Sequence, residues 1–188
     1  VLSFCRPLAP QCLVATLFFL GHGILGAFLP LLATQVVGGI SATEVGFLYF
    51  IAGFVSMILG IPLGMLADRA GKKKIMIFGL LLSSVALAGM AFATSYLWLI
   101  IVTISQSVGM AMFSPASMGL LSDSVSSQRQ STAMGVYGGL CEDPGIIAGS
   151  ALGGFIWSAW GPQATFLTGA IAAGLGVVVS LALIKESS

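Results

Sequence analysis

Gly64-Met65-Leu66-Ala67-Asp68-Arg69-Ala70-Gly71-Lys72-Lys73-Lys74 is a short charged insertion in a chain that is otherwise almost free of charge. Positions 45–67 before Asp68 carry no Asp, Glu, Lys or Arg, and neither do positions 75–122 after Lys74. A helix needs about 20 apolar residues to cross a hydrocarbon core about 30 Å thick. The insertion therefore reads as a tight turn between two membrane-crossing helices. Gly71 suits a reversal of chain direction, and Gly64, one turn beyond Gly60, lets a neighbouring helix approach closely.

The same pattern extends outward. Of 188 residues, 57% are apolar and 7% are charged, where soluble domains carry about one-quarter charged residues. Positions 144–184 are charge-free, and so are positions 7–43 apart from the neutral His22. These runs predict one six-helix transmembrane domain over 1–188, with helices at about 12–36, 44–66, 75–93, 97–121, 132–157 and 163–184. A soluble core is excluded because a water-exposed fold must show polar faces. A β-barrel is excluded because the runs do not alternate polar and apolar side chains. The 25 glycines fit close packing of helices in lipid.

Arg6, Arg69, Lys72, Lys73, Lys74, Arg129 and Lys185 all fall on one side of such a bundle. By the positive-inside rule both termini are expected to be cytoplasmic, in a plasma or inner membrane. Trp98, Trp157 and Trp160 fall near the opposite ends of their helices, where indole rings favour the headgroup level. Dividing the chain near 94–96 leaves two triplets of helices. Each triplet crosses the bilayer an odd number of times, so a repeat built from them must be inverted.

Cys5, Cys12 and Cys141 are too few and too scattered for a disulfide framework or a metal pattern, and read as buried small hydrophobes. No nucleophile–base pair, phosphate loop or metal-ligand spacing appears, so no enzyme activity, cofactor or metal is expected. One short basic loop does not make a nucleic-acid surface.

The Gly64–Lys74 segment resembles the signature loop of the major facilitator superfamily, Gly-x-Leu-Ala-Asp-Arg-x-Gly-Arg-Lys, which joins helices 2 and 3 of each six-helix half. Lys72 stands where the family usually has Arg, and an ammonium cannot form the planar two-point contact of a guanidinium. The resemblance covers about residues 12–184 and implies one half of a secondary transporter, working opposite a complementary half by alternating access. That half is joined covalently or supplied by a dimer partner. The resemblance also implies a cytoplasmic gate of Asp68, Arg69, Gly71 and Lys72, with Asp123 at the end of helix 4 as the partner of the base. Helix 5 looks like the family's glycine-and-proline motif in Pro144, Gly145, Gly149 and Gly153. It departs from the antiporter form, because Asp143 precedes the proline and Ile147-Ala148 replace a glycine pair. The Asp143-Pro144-Gly145 sequence, with no Arg in helix 4, favours the carboxyl-terminal half; the intact 2–3 loop favours the amino-terminal one.

Read on their own chemistry, Gly145, Gly149 and Gly153 line one helix face every four residues and permit a tight crossing, while Pro144 can hinge the helix. Glu142 and Asp143 lie deep in helix 5, and acids within a bilayer are functional candidates by default. Helical spacing places Glu142 on the face of Gly138, Gly139, Gly145 and Gly149. His22, between Gly21 and Gly23, is a third titratable candidate. Thr103, Gln106, Ser107, Met110 and Ser114 give helix 4 a polar side suited to a cavity. The expected activity is transport of a small solute. If protons drive it, the carrier is among His22, Glu142 and Asp143, with Gln106 a further candidate for solute contact. The alternative is a membrane receptor, chaperone or interaction protein with the same fold.

Overall fold

A computed structural model describes residues 9–184, and among these residues every regular element is helical. Arg6, Lys185 and Cys5 lie outside the described residues. Helix α1 (Ala9–Leu31) continues into a π-helical turn at Leu32–Val37. Helix α2 (Ala42–Ala70) starts at a capping box in which the Ser41 side chain accepts from the Glu44 N–H and Glu44 accepts from the Ser41 N–H. Helix α3 (Lys72–Ala91) follows after a single residue, Gly71, whose φ of 104° is the left-handed conformation that favours glycine. Helix α4 (Tyr96–Asp123) is capped by Ser95.

The remaining helical stretch, Ser127–Leu183, has 57 residues and would rise about 85 Å at 1.5 Å per residue, far more than one crossing. It breaks at Gly161 (φ 85°, ψ −177°), immediately before Pro162, which favours the first turn of a new helix. Two membrane-length helices result, α5 (130–160) and α6 (162–183), so the described residues form six. Within α5 a π-helical turn covers Gly138–Glu142.

The helix pairings show how the two triplets relate. Added Cβ atoms on Gly145, Gly149 and Gly153 would meet Thr16, Leu20 and Ile24 in turn, so α1 and α5 run in the same direction in close contact. Helices α2 and α4 are likewise parallel: Tyr96 Oη donates to Glu44 O, Ser56 Oγ to Ser107 O, and Gly64 faces Pro115. Helices α3 and α4 are antiparallel, with Gly79 beside Phe113 and Gly89 beside Val102. So are α6 and α1, with Gly169 beside Gly21 and Gly176 beside Leu17. Helices α3 and α6 meet through Ser84 Oγ, which donates to Ala170 O at 2.8 Å. Exchanging α1 with α4, α2 with α5 and α3 with α6 maps each pairing onto another or onto itself. That is the contact pattern of two inverted three-helix repeats.

Two apolar clusters fill the bundle. One, around Phe18, Phe113 and Tyr137, lies towards the end that carries the charged 2–3 turn; the other, around Leu48, Leu99 and Phe166, lies towards the opposite end. Helix α2 stands apart, with Phe50, Met57 and Ile61 exposed by 60%, 66% and 75%. Phe47, Phe50 and Phe54 form a stacked ladder along it.

Candidate functional site

A cavity of about 350 Å³ opens between α1, α2 and α4. Helix α1 contributes His22, Leu25, Gly26 and Leu29, α2 contributes Tyr49, Ala52, Gly53 and Ser56, and α4 contributes Thr103, Gln106, Ser107 and Met110. Gln106 lies about 15 Å along α4 from Tyr96, close to the middle of a bilayer core about 30 Å thick. Several wall groups are already committed. Tyr49 Oη donates to Gly26 O, Ser56 Oγ to Ser107 O, and Ser107 Oγ to Thr103 O.

Four buried side-chain polar atoms among the described residues lack a hydrogen-bond partner: His22 Nδ1, Thr103 Oγ1, Gln106 Oε1 and Ser83 Oγ. The first three belong to cavity-lining residues, whereas Ser83 lies where α3 crosses α4 beside Gly109. A buried polar atom without a partner costs about 1–3 kcal/mol. Three of the four therefore surround one cavity.

The charged turn forms a second cluster. Lys72 Nζ donates to Asp123 Oδ2 at 2.7 Å and lies 3.6 Å from Asp68 Oδ1. The lysine stem rests on Gly119, where an added Cβ would sit 3.0 Å from both Cδ and Cε. Arg69 is exposed beside this cluster. Next to it, a buried network joins three helices: Gln11 Nε2 donates to Ser117 O at 2.6 Å, and Ser117 Oγ is hydrogen-bonded to Tyr137 Oη. No apolar period or charge pattern pointed to this network.

The structure therefore gathers His22 and Gln106 at the cavity, and Asp68, Lys72 and Asp123 at the turn. Glu142 and Asp143 are not among the cavity-lining residues; Glu142 is half-buried and Asp143 exposed on α5. Ser114 also falls outside the lining. The π-helical turn at Gly138–Glu142 adds a residue to one turn of α5 and rotates the amino-terminal part of that helix against the carboxyl-terminal part. Gly145 and Gly149 consequently abut α1, while Cβ atoms at Gly138 and Gly139 would meet open space, so the shared face expected from regular spacing does not form. The cysteine expectation is also corrected: Cys12 and Cys141 form a disulfide linking α1 to α5. Tyr49, Gly53 and Ser56 were missed at the cavity; the seven-residue spacing of Gly46, Gly53 and Gly60 was the available signal. Among the described residues no group of three His, Cys, Asp or Glu could hold a metal ion.

The sequence profile of the Major Facilitator Superfamily matches residues 12–188. The chain belongs to the Major Facilitator Superfamily. This superfamily chain is 29% identical over 167 residues to the multi-drug resistance efflux pump PmrA of Streptococcus pneumoniae, covering 85% of this chain and 40% of that protein. It is 27% identical over 170 residues to the quinolone resistance protein NorA of Staphylococcus aureus, covering 90% of this chain and 43% of that one. The chain thus spans less than half the length of these relatives. The crystal structure of a bacterial homologue of the human lysosomal transporter Spinster, inward-facing and unoccupied, superposes with a TM-score of 0.71 at 20% identity, covering 97% of this chain and 43% of that one. At that identity the likeness concerns the fold. Superfamily membership and the membrane-length apolar helices make the chain part of an integral membrane protein.

Proposed function

We propose that this six-helix unit is one half of a secondary transporter that moves a small solute by alternating access, facing a complementary six-helix half across the α1–α2–α4 cavity. One observation carries the reading: His22 Nδ1, Thr103 Oγ1 and Gln106 Oε1 are left without partners around a single cavity at mid-membrane depth. A purely structural bundle gains nothing from three such atoms, whereas a transporter must bind its cargo there and let it go. The exposed aromatic face of α2 suits burial against the complementary half, which completes the cavity. Sequence relatives that are named as a drug-efflux pump and a quinolone resistance protein support an organic solute moved outward.

In this reading the basic turn faces the cytoplasm with both termini, as the lysine and arginine distribution indicates. The Lys72–Asp123 pair and Asp68 form the gate at that end; Gly71 makes the reversal that holds them together. The α1–α5 crossing at Gly145, Gly149 and Gly153, with Pro144 and the π-helical turn beside it, is where rocking bends the unit. Protons, if they drive transport, load at Glu142, Asp143 or His22.

The test is solute counterflow in proteoliposomes that contain the assembled transporter. Asp68→Asn is expected to slow turnover while the protein inserts normally. A normal turnover rate for Asp68→Asn removes the gate, and no counterflow with any solute removes the transport reading.

A further inference from the structure

We infer that Cys12 and Cys141 form a reversible thiol–disulfide switch at the α1–α5 joint, opened and closed by exchange with low-molecular-weight thiols and their disulfides, and that the closed bond restrains the hinge beside it. The exchange chemistry stands on the geometry of the joint, and the effect on turnover rests on the transport reading.

The register of the crossing makes the pair. Gly145 sits on Thr16, Gly149 on Leu20 and Gly153 beside Ile24, and each of these pairs has the same separation of 129 positions as Cys12 and Cys141. The cysteines therefore occupy the next turn of one parallel crossing, whose neighbours recur every four residues. Where α5 has glycine, α1 leaves little room for a side chain. At the cysteine turn both helices carry one, and the Cα atoms stand 5.1 Å apart, within the span that a disulfide bridges. Opening and closing the bond needs no rearrangement of either helix.

The bond closes where α5 changes its winding. Cys141 belongs to the π-helical turn Gly138–Glu142, and Pro144 follows it, so a covalent link here ties the bending part of α5 to α1. Weaker contacts span the same joint. Thr16 Oγ1 donates to Cys141 O at 2.9 Å, and Gln11 Nε2 and Tyr137 Oη both meet Ser117 of α4. These contacts keep the helices together when the bond opens, so reduction loosens the hinge without dismantling the bundle.

Position and access make the bond reversible. Gln11, next to Cys12, meets Ser117 about 9 Å along α4 from Asp123 at the charged turn. In the orientation proposed above this is the cytoplasmic end, and in a reducing compartment disulfides serve as transient or sensing bonds. Cys141 is 1% exposed, whereas Cys12 is half-buried, so an external thiolate attacks Cys12 Sγ. That attack forms a mixed disulfide on Cys12 and releases Cys141 as a thiolate, which takes a proton. A second external thiolate attacks the outer sulfur of the mixed disulfide, releasing an external disulfide and the Cys12 thiolate, which is protonated in turn. The protein disulfide is reduced to two thiols while two external thiols are oxidised to one disulfide, and the reverse sequence closes the bond.

The test uses the assembled transporter in proteoliposomes, with every cysteine except Cys12 and Cys141 replaced. Vesicles are equilibrated with mercaptoethanol and its disulfide at graded ratios, quenched in acid, denatured and labelled with a polyethylene-glycol maleimide, so that each free thiol retards the band by one step. Excess disulfide should give no retardation, excess mercaptoethanol two steps, and restoring the first ratio should return the unretarded band. Reduced vesicles are expected to show faster solute counterflow than oxidised ones, and Cys141→Ala should lose that difference. If Cys141→Ala does not insert, return of the slow rate when the same vesicles are re-oxidised is the check. A bond that survives excess mercaptoethanol in the folded protein overturns the inference, because the pair is then a permanent cross-link. Thiols that stay free in excess disulfide overturn it as well. Complete exchange with equal counterflow rates removes the restraint on the hinge. Counterflow absent under every condition removes the transport reading and the restraint together, while the band shift still decides the exchange.

Discussion

The α1–α5 crossing predicts a graded response to adding one methyl group. A Cβ on Gly149 would lie 2.9 Å and 3.0 Å from the backbone C and Cα of Leu20, and closer still to its carbonyl oxygen. On Gly23 it would lie 2.8 Å and 2.9 Å from the Cα and C of Ile146. Backbone cannot rotate aside, so the two helices must part by about 1 Å to restore ordinary carbon contacts of about 3.5–4.0 Å. On Gly153 the nearest atom is instead Cε2 of the Phe28 ring at 2.7 Å, which can swing, and on Gly60 there is nothing within 4 Å. Overpacking costs about 1–3 kcal/mol. Gly23→Ala and Gly149→Ala are expected at the top of that range, Gly153→Ala at the bottom, and Gly60→Ala is expected to be neutral or slightly stabilising through helix propensity. Unfolding in mixed micelles titrated with dodecyl sulfate gives the order directly. If Gly149→Ala unfolds at the same dodecyl sulfate fraction as Gly60→Ala, the close crossing does not exist.

At the charged turn, Lys72→Met and Asp123→Asn should each change stability by less than about 1 kcal/mol, as for other exposed ion pairs, yet slow transport; a double-mutant cycle should show the two losses to be non-additive. Tyr137→Phe leaves Ser117 Oγ buried without its partner and should destabilise the chain by about 1–3 kcal/mol in the same micelle assay. With the complementary half present, Glu142→Gln should abolish pH-driven uptake and spare exchange of preloaded solute; equal rates in both assays remove Glu142 from the mechanism.

The six-helix count was legible because charge interrupts the apolar runs at almost every turn that faces one side. Gly71 was readable for a local reason, since its residue type suits the reversal it makes, whereas the break at Gly161–Pro162 was placed only as a gap between helices expected at 132–157 and 163–184. Gly145, Gly149 and Gly153 were also readable, since a four-residue repeat of small residues has few other uses in lipid. Contacts between distant segments were not. Cys12 and Cys141 are 129 positions apart, and no spacing rule connects them. The π-helical turn at Gly138–Glu142 has no compositional mark, yet it changes the face on which Glu142 and its neighbouring glycines lie. Gln106 was visible as a polar residue in an apolar run, but its lack of a partner is a property of three helices together. The same holds for Tyr137 and Ser117, which become one network only when α4 and α5 meet.

The central claim is that water and solute reach the space between α1, α2 and α4 while the outer surface of α3 faces lipid. Single cysteines at Ala52, in the cavity wall, and at Phe78, 61% exposed on α3, test it in the assembled transporter with other free thiols removed. A charged methanethiosulfonate should modify Ala52→Cys and be blocked by transported solute, and should leave Phe78→Cys unmodified. An unreactive Ala52→Cys beside a reactive Phe78→Cys would contradict the account.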